Sequence, residues 1–219
     1  MTRIIDILLS FFALLILMPI FIPIIIVLKL TGEGEVFYLQ DRIGVGSKTF
    51  KLYKFTTMLK DSENIGTGAI TIKNDPRVLP FGKFLRKSKI NELPQLFNIL
   101  IGDMSFVGPR PLLKKQFGFY NSKVQETVSS IRPGLTGVGS IVFRDEERFF
   151  LDCLDPDEIY IEKISPIKAD LEVWYVKNNS IWLYIKLIIA TFMAVIFPSK
   201  NFLSFIDKDL GIKYESILE

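Results

Sequence analysis

From Ile7 to Leu28 the chain reads "ILLSFFALLILMPIFIPIIIVL", 22 residues without a charge. No other stretch limits the fold so strongly. A continuous helix of that length spans roughly 33 Å, close to the hydrocarbon thickness of a bilayer. The run is long for a signal peptide, and no small-residue cleavage site follows it. Pro19 and Pro23 interrupt the pattern. Each removes a backbone donor and crowds the carbonyl four residues back. In lipid, the freed carbonyls of Leu15 and Pro19 have no water to turn to. Ser10 is too far up the chain to serve Leu15. Two geometries satisfy these residues equally: a kinked transmembrane span, or a bend that returns both ends to one side.

The remainder of the chain must do any chemistry without imidazole. There is no histidine and a single cysteine, Cys153, in 219 residues. That excludes Ser-His-Asp and Cys-His catalysis, His-ligated zinc, and an internal disulfide. Carboxylates, lysine, hydroxyls or a hard metal on oxygen ligands remain. The net charge of +3 is too weak to imply nucleic acid. It suits an anionic membrane face or a phosphorylated substrate.

The pattern predicts one mixed α/β domain, mainly helical, on a membrane anchor. "EVFYLQ" and "TFKLYKFTTM" read as strands around the turn "DRIGVGSK". Lys60 to Asp75 reads as a loop and "LPFGKFLRKSKI" as a short basic helix. "ELPQLFNILIG" is the clearest helix, with Leu93, Leu96, Phe97 and Leu100 at helical spacing and Gly102 ending it. A further helix is expected around Leu112–Ser129, then a glycine turn, "IRPGLTGVGS". Ile181–Phe197, with Lys186 inside it and Trp174, Trp182 and Tyr184 near its start, suits an interfacial amphipathic helix or a core helix.

Asn91 and Glu92 open the "ELPQL" helix. Asn is a favoured N-cap and Glu a favoured first-turn residue, so the pair needs no function to explain it. A helix start is also an anion site. Arg86, Lys87 and Lys89 precede this one, and Arg110 follows in "GPRP", where the flanking prolines pre-order the backbone. Cations around a carboxylate able to hold magnesium suggest a phosphate-handling site.

Four stretches occur in series: "VFYLQDRIGVGSKTFKLYKFTTM", "NDPRVLPFGKFLRKSKINELPQLFNILIGDMSFVGPRPLL", "RPGLTGVGS" and "WYVKNNSIWLYIKLI". Over roughly residues 1 to 200 the chain resembles the bacterial sugar transferases, the monotopic phosphoglycosyl transferases. The resemblance implies transfer of a sugar-1-phosphate from a UDP-sugar to a polyprenyl phosphate, such as undecaprenyl phosphate, with release of UMP. It implies a re-entrant membrane helix over 1–30, a catalytic domain over 31–200 and a tail over 201–219. It further implies Mg2+, with Glu92 as its ligand, and an active site on the cytoplasmic face of the bacterial inner membrane. Downstream glycosyltransferases would be further partners.

Family members carry an aspartate nucleophile where this chain has Asn91. A neutral amide is a poor nucleophile and a weaker magnesium ligand. Thr56 stands where a basic residue is usual, and "SIVFRDEE" replaces a polar run. Asp145 is therefore a candidate surrogate for the missing charge, and direct attack by the lipid phosphate is the alternative. Lys54, Arg86, Arg110 and Arg132 match basic positions able to contact diphosphate, and Glu172 matches an acidic one. A second reading is a catalytically impaired membrane homologue that binds a nucleotide sugar or a partner enzyme.

Overall fold

The computed structural model describes residues 2–65, 75–144 and 156–197. It is a mixed α/β structure, mostly helical. Helix α1 (Thr2–Leu30) is followed by a hairpin, β1 (Phe37–Ile43) and β2 (Thr49–Phe55). Then come α2 (Pro80–Lys87), a 3-10 turn at Ile90–Glu92, α3 (Gln95–Ile101) and β3 (Ser105–Val107). The expected helix over 112–129 is two pieces, α4 (Lys114–Phe117) and α5 (Ser122–Ser129). Asn121 starts the second by accepting the Val124 amide. The glycine turn holds β4 (Gly134–Thr136), which pairs parallel with β3, and α6 (Val138–Val142). Helix α7 (Pro156–Ile159) runs through a π turn into α8 (Ser165–Asn178), and α9 (Ile181–Ile196) follows.

Helix α1 is helical throughout, including Pro19 and Pro23, both on its exposed side. One stripe, Asp6, Ser10, Phe21, Ile24 and Leu28, is buried. Its steps of four, eleven, three and four keep it on one helical face. Phe21, Ile24 and Leu28 pack on Phe55 and Leu85. Ala13, Leu14 and Leu17 pack on Leu52, Leu96, Ile99 and Met104. Near the start, Arg3 donates to the carbonyls of Ile99 and Leu100 at the end of α3. The domain thus holds α1 near both ends. The opposite face, including Leu8, Phe12, Ile16 and Ile22, is apolar and exposed. Among the described residues α1 is the one helix long and apolar enough to cross a membrane.

Asp6 sits inside this apolar helix at 1% exposure. Its Oδ1 accepts from Ser105 Oγ and the Phe106 amide, both at 3.0 Å, and from the Tyr184 hydroxyl. One carboxylate therefore joins α1, β3 and α9. Asp6→Asn keeps the shape and loses the charge. It is expected to cost about 1–2 kcal/mol, read as a lowered thermal midpoint in nanodiscs. An unchanged midpoint would count against the network as a support.

Helix α9 buries one face in the domain and exposes the other. Leu183, Tyr184, Leu187, Ala190 and Ala194 are buried, while Trp182, Ile185, Ile189, Phe192 and Val195 are exposed. Its inner face joins a core with Val138, Ile164 and Leu171. Gly108 and Gly134 allow β3 and β4 to meet closely. A Cβ on Gly134 would lie 2.1 Å from the Gly108 nitrogen.

Candidate active site

Alternation in the hairpin builds the first wall. Tyr38, Gln40 and Arg42 lie opposite Lys54, Leu52 and Phe50, so all six share one face. Lys54, expected from the resemblance as a basic residue able to contact diphosphate, is largely enclosed. Asn98 docks α3 on β2: its Oδ1 accepts the Tyr53 amide and its Nδ2 donates to Lys51 O. That brings the turn before α3 to the hairpin. Lys54 Nζ lies 3.8 Å from Glu92 Oε1. Arg42, Lys54, Glu92, Gln95 and Arg110 line one cleft.

The turn carrying Asn91 and Glu92 differs from the sequence expectation. Asn91 does not cap a helix. It lies within the 3-10 turn Ile90–Glu92, and Pro94 precedes α3. Lys89 enters that turn with φ 59°, a left-handed conformation that costs a lysine energy. The backbone amides expected to cradle an anion are engaged. Glu92 N bonds Lys89 O, Leu93 N bonds Ile90 O, Leu96 N bonds Leu93 O and Phe97 N bonds Pro94 O. Anion binding here falls to side chains.

Those side chains form a crowded cationic set. Burial lowers the Lys54 ammonium to about 7; Glu92 opposes this, while Arg42, Arg110 and Arg86 reinforce it. Burial alone would raise Glu92, but Lys54, Arg110, Lys89 and Arg42 outweigh it and hold the carboxyl below its usual range. Among the described residues the site is short of negative charge. A bound diphosphate would supply it and return Lys54 to its cationic form.

Asn91 is buried, and its Oδ1 has no hydrogen-bond partner among the described residues. Asn91 and Glu92 are neighbours in the 3-10 turn, and an amide oxygen and a carboxylate are both hard donors of the kind magnesium takes together with waters and phosphates. No group of three or more acidic, cysteine or histidine residues occurs among the described residues, so no all-protein cage forms there.

Glu172, on α8, holds the arginine turn from behind. Its Oε1 accepts the Arg110 amide at 3.3 Å, and its Oε2 is buried without a hydrogen-bond partner among the described residues. Gly139 leaves room for it, since a Cβ there would lie 2.6 Å from Oε1. Burial pushes the Glu172 carboxyl up to about 7, against the Arg110 amide, Lys168 and Arg110 charge. The fold therefore favours the neutral form. Ionisation weakens the fold progressively as pH rises from the usual carboxylate value through about 7. Glu172→Gln should remove that loss, about 3 kcal/mol between pH 4.5 and 8. Melting both proteins across that range checks it; parallel pH curves would contradict it.

The matching family model, bacterial sugar transferase, covers residues 1–198. The chain belongs to the bacterial sugar transferase family. It is 32% identical over 193 residues to the UDP-N-acetylgalactosamine-undecaprenyl-phosphate N-acetylgalactosaminephosphotransferase of Aeromonas hydrophila, covering 87% of this chain and 42% of that protein. It is 36% identical over 191 residues to the UDP-glucose:undecaprenyl-phosphate glucose-1-phosphate transferase of Klebsiella pneumoniae, covering 86% and 38%. An exopolysaccharide production protein, PSS, of Rhizobium leguminosarum bv. phaseoli is 34% identical over 205 residues, covering 91% of this chain and 97% of that one. This sugar transferase chain thus spans about two fifths of the first two relatives and nearly all of the third.

Within this family member, the structure brings Lys54, Glu92 and Arg110 to one cleft, with Asn91 buried next to Glu92 in the chain and Glu172 behind the Arg110 turn. Arg86 is near enough to lower Lys54 and donates toward Met58 Sδ. Arg132 is placed elsewhere. It is exposed, and its Nε donates to Gly102 O at 2.9 Å, at the opposite end of α3 from Glu92. Asp145 lies outside the described residues. Sequence reading missed Arg42, which donates to Gln40 Oε1 and to Pro111 O at 3.0 Å. Its alternation with Gln40 and Tyr38 was the available signal.

Proposed function

We propose that this protein transfers a sugar-1-phosphate from a UDP-sugar to a polyprenyl phosphate, releasing UMP, at the start of glycan or exopolysaccharide assembly. The observation that carries the reading is the cluster of Lys54, Arg42 and Arg110 around the single carboxylate Glu92, in a chain of this family. The relatives' names supply the substrate classes.

The chemistry needs charge stabilisation more than a base. An oxygen of the lipid phosphate forms a bond to the sugar-bearing phosphorus while the bond to the UMP phosphate breaks. UMP leaves as a phosphate dianion, and no proton has to move. With Asn91 at the position of a nucleophile, one in-line displacement suits this chain. Arg110 and Lys54 would hold the diphosphate, with Arg42 and Arg86 adding potential. Glu92 and Asn91 Oδ1 would hold magnesium, which when bound neutralises charge between the phosphates.

The exposed apolar faces of α1 and α9 would lie in lipid, with both ends of α1 on one side of the bilayer, the cytoplasmic side. Packing of the helix against the domain near both ends supports this.

Protein in nanodiscs, given undecaprenyl phosphate, magnesium and a panel of UDP-sugars, should release UMP with at least one donor. Without the lipid phosphate, labelled UMP should not exchange into the UDP-sugar. Exchange would reveal a covalent enzyme intermediate and refute the single displacement. Silence toward every donor would favour the impaired-homologue reading.

A further inference from the structure

A second cleft lies across the arginine turn from Glu92. Arg110 lines both clefts. The walls of the second are apolar: Ile43 at the end of β1, Leu112, Phe117 and Tyr120 around α4, and Val128 on α5. The polar groups on its lining include Ser129 and Glu172. Its volume, counted to the open mouth, is about 340 Å³, and only water-sized space lies deep within it. It thus suits the edge of something thin.

The Glu172 carboxyl has one oxygen committed to the Arg110 amide and one, Oε2, with no hydrogen-bond partner among the described residues. The residue is 4% exposed. An unpaired buried oxygen of this kind is costly unless a ligand or an ordered water completes it. As a neutral acid Oε2 donates to a carbonyl; as a carboxylate it accepts from an N–H. Either way it complements a flat ring edge that carries both.

We propose that this cleft receives the edge of the pyrimidine base of the nucleotide donor, with Glu172 Oε2 bonding its imide edge at the apolar wall that Phe117 and Tyr120 help to form. The inference rests on the donor class argued above and extends it. Arg110 then sits at the join. Its amide faces the base through Glu172 and its guanidinium faces the phosphates beside Glu92. The base, the diphosphate and the reacting phosphorus follow one another along a single line. A base-reading contact on this side of Arg110 leaves the Glu92 side for the sugar and the lipid phosphate.

The test compares UMP with ribose 5-phosphate, which keeps the phosphate and lacks the base, by calorimetry on the full chain in nanodiscs. Wild type should bind UMP at least tenfold more tightly. Glu172→Met, which also frees the Arg110 amide, should weaken UMP far more than it weakens ribose 5-phosphate. Glu172→Gln, whose carboxamide still offers a donor and an acceptor, should retain part of the preference. Ser129→Leu narrows the cleft without touching Arg110 and should act as Glu172→Met does, which keeps the test intact if that variant fails to fold. Equal affinity of wild type for both ligands would overturn the inference, as would equal weakening of both by Glu172→Met. With UMP release intact, either result leaves the transferase reading standing. Failure of wild type to bind either ligand, together with absence of UMP release, would overturn both.

Discussion

Glu92→Gln is expected to reduce UMP release by about 10²–10³-fold, with a smaller change in the affinity for UMP. Glutamine keeps the shape and removes the charge. Glu92 is the carboxylate that opposes the lowering of Lys54, while three arginines reinforce it. Its loss would push Lys54 further toward the neutral amine, so one cation would disappear along with the anion. The variant would also leave Asn91 Oδ1 beside a second neutral amide, a poor site for magnesium. Because no proton is needed in the transfer, the deficit should persist across neutral pH. It should not be rescued by acidity alone, which restores Lys54 but not the metal ligand. Steady-state UMP release at saturating donor, with UMP binding measured separately, decides the case. A variant that turns over at the wild-type rate would remove Glu92 from the reaction and with it the role given to the cluster.

The contrast between what could and could not be read from the residues has a physical basis. Periodicity located the hairpin, α2, α3, α9 and the α1 run, because each puts apolar residues at its own period. The same patterns failed where partners far apart in sequence decide the outcome. Nothing local says that Asp6, inside an apolar run, will meet Tyr184, 178 positions later. Nothing local says that the amides before α3 will be consumed by a 3-10 turn, which removes the anion site expected at that helix start. Lys54 and Arg42 were legible only in part. Strand alternation places them on a face, but whether that face is wet depends on Asn98 docking α3 across it. Arg132 shows the converse: a basic residue in a matching motif, carried by the fold to the far end of α3. Motif order identified the family; tertiary packing sorted the residues within it.

The largest effect on stability should come from Asp75→Ala. Asp75 and Arg77 are each 3% exposed. Asp75 Oδ1 accepts the Arg77 amide and Nε, at 3.0 and 2.9 Å, and Oδ2 accepts Nη2 at 2.6 Å. Arg77 Nη1 donates to the carbonyls of Ser62 and Ile65. The pair thus closes the segment between β2 and α2. Beside it, Leu59 N bonds Arg77 O and Leu79 N bonds Thr57 O, which fixes α2 relative to the end of the strand that carries Lys54. Removing the carboxylate takes away the counter-charge that bonds the desolvated guanidinium through Nε and Nη2. Loss of one member of a buried pair costs about 3–5 kcal/mol, whereas replacing both by apolar groups is often nearly neutral. Asp75→Ala should therefore melt far below the wild type, and Asp75→Leu with Arg77→Met should recover much of the loss. Activity should follow the same order, since α2 also carries Arg86 toward Lys54. If Asp75→Ala melted with the wild type, the bonds Arg77 keeps, those to the Ser62 and Ile65 carbonyls among them, would suffice for it, and the Asp75 charge would have no part in the stability.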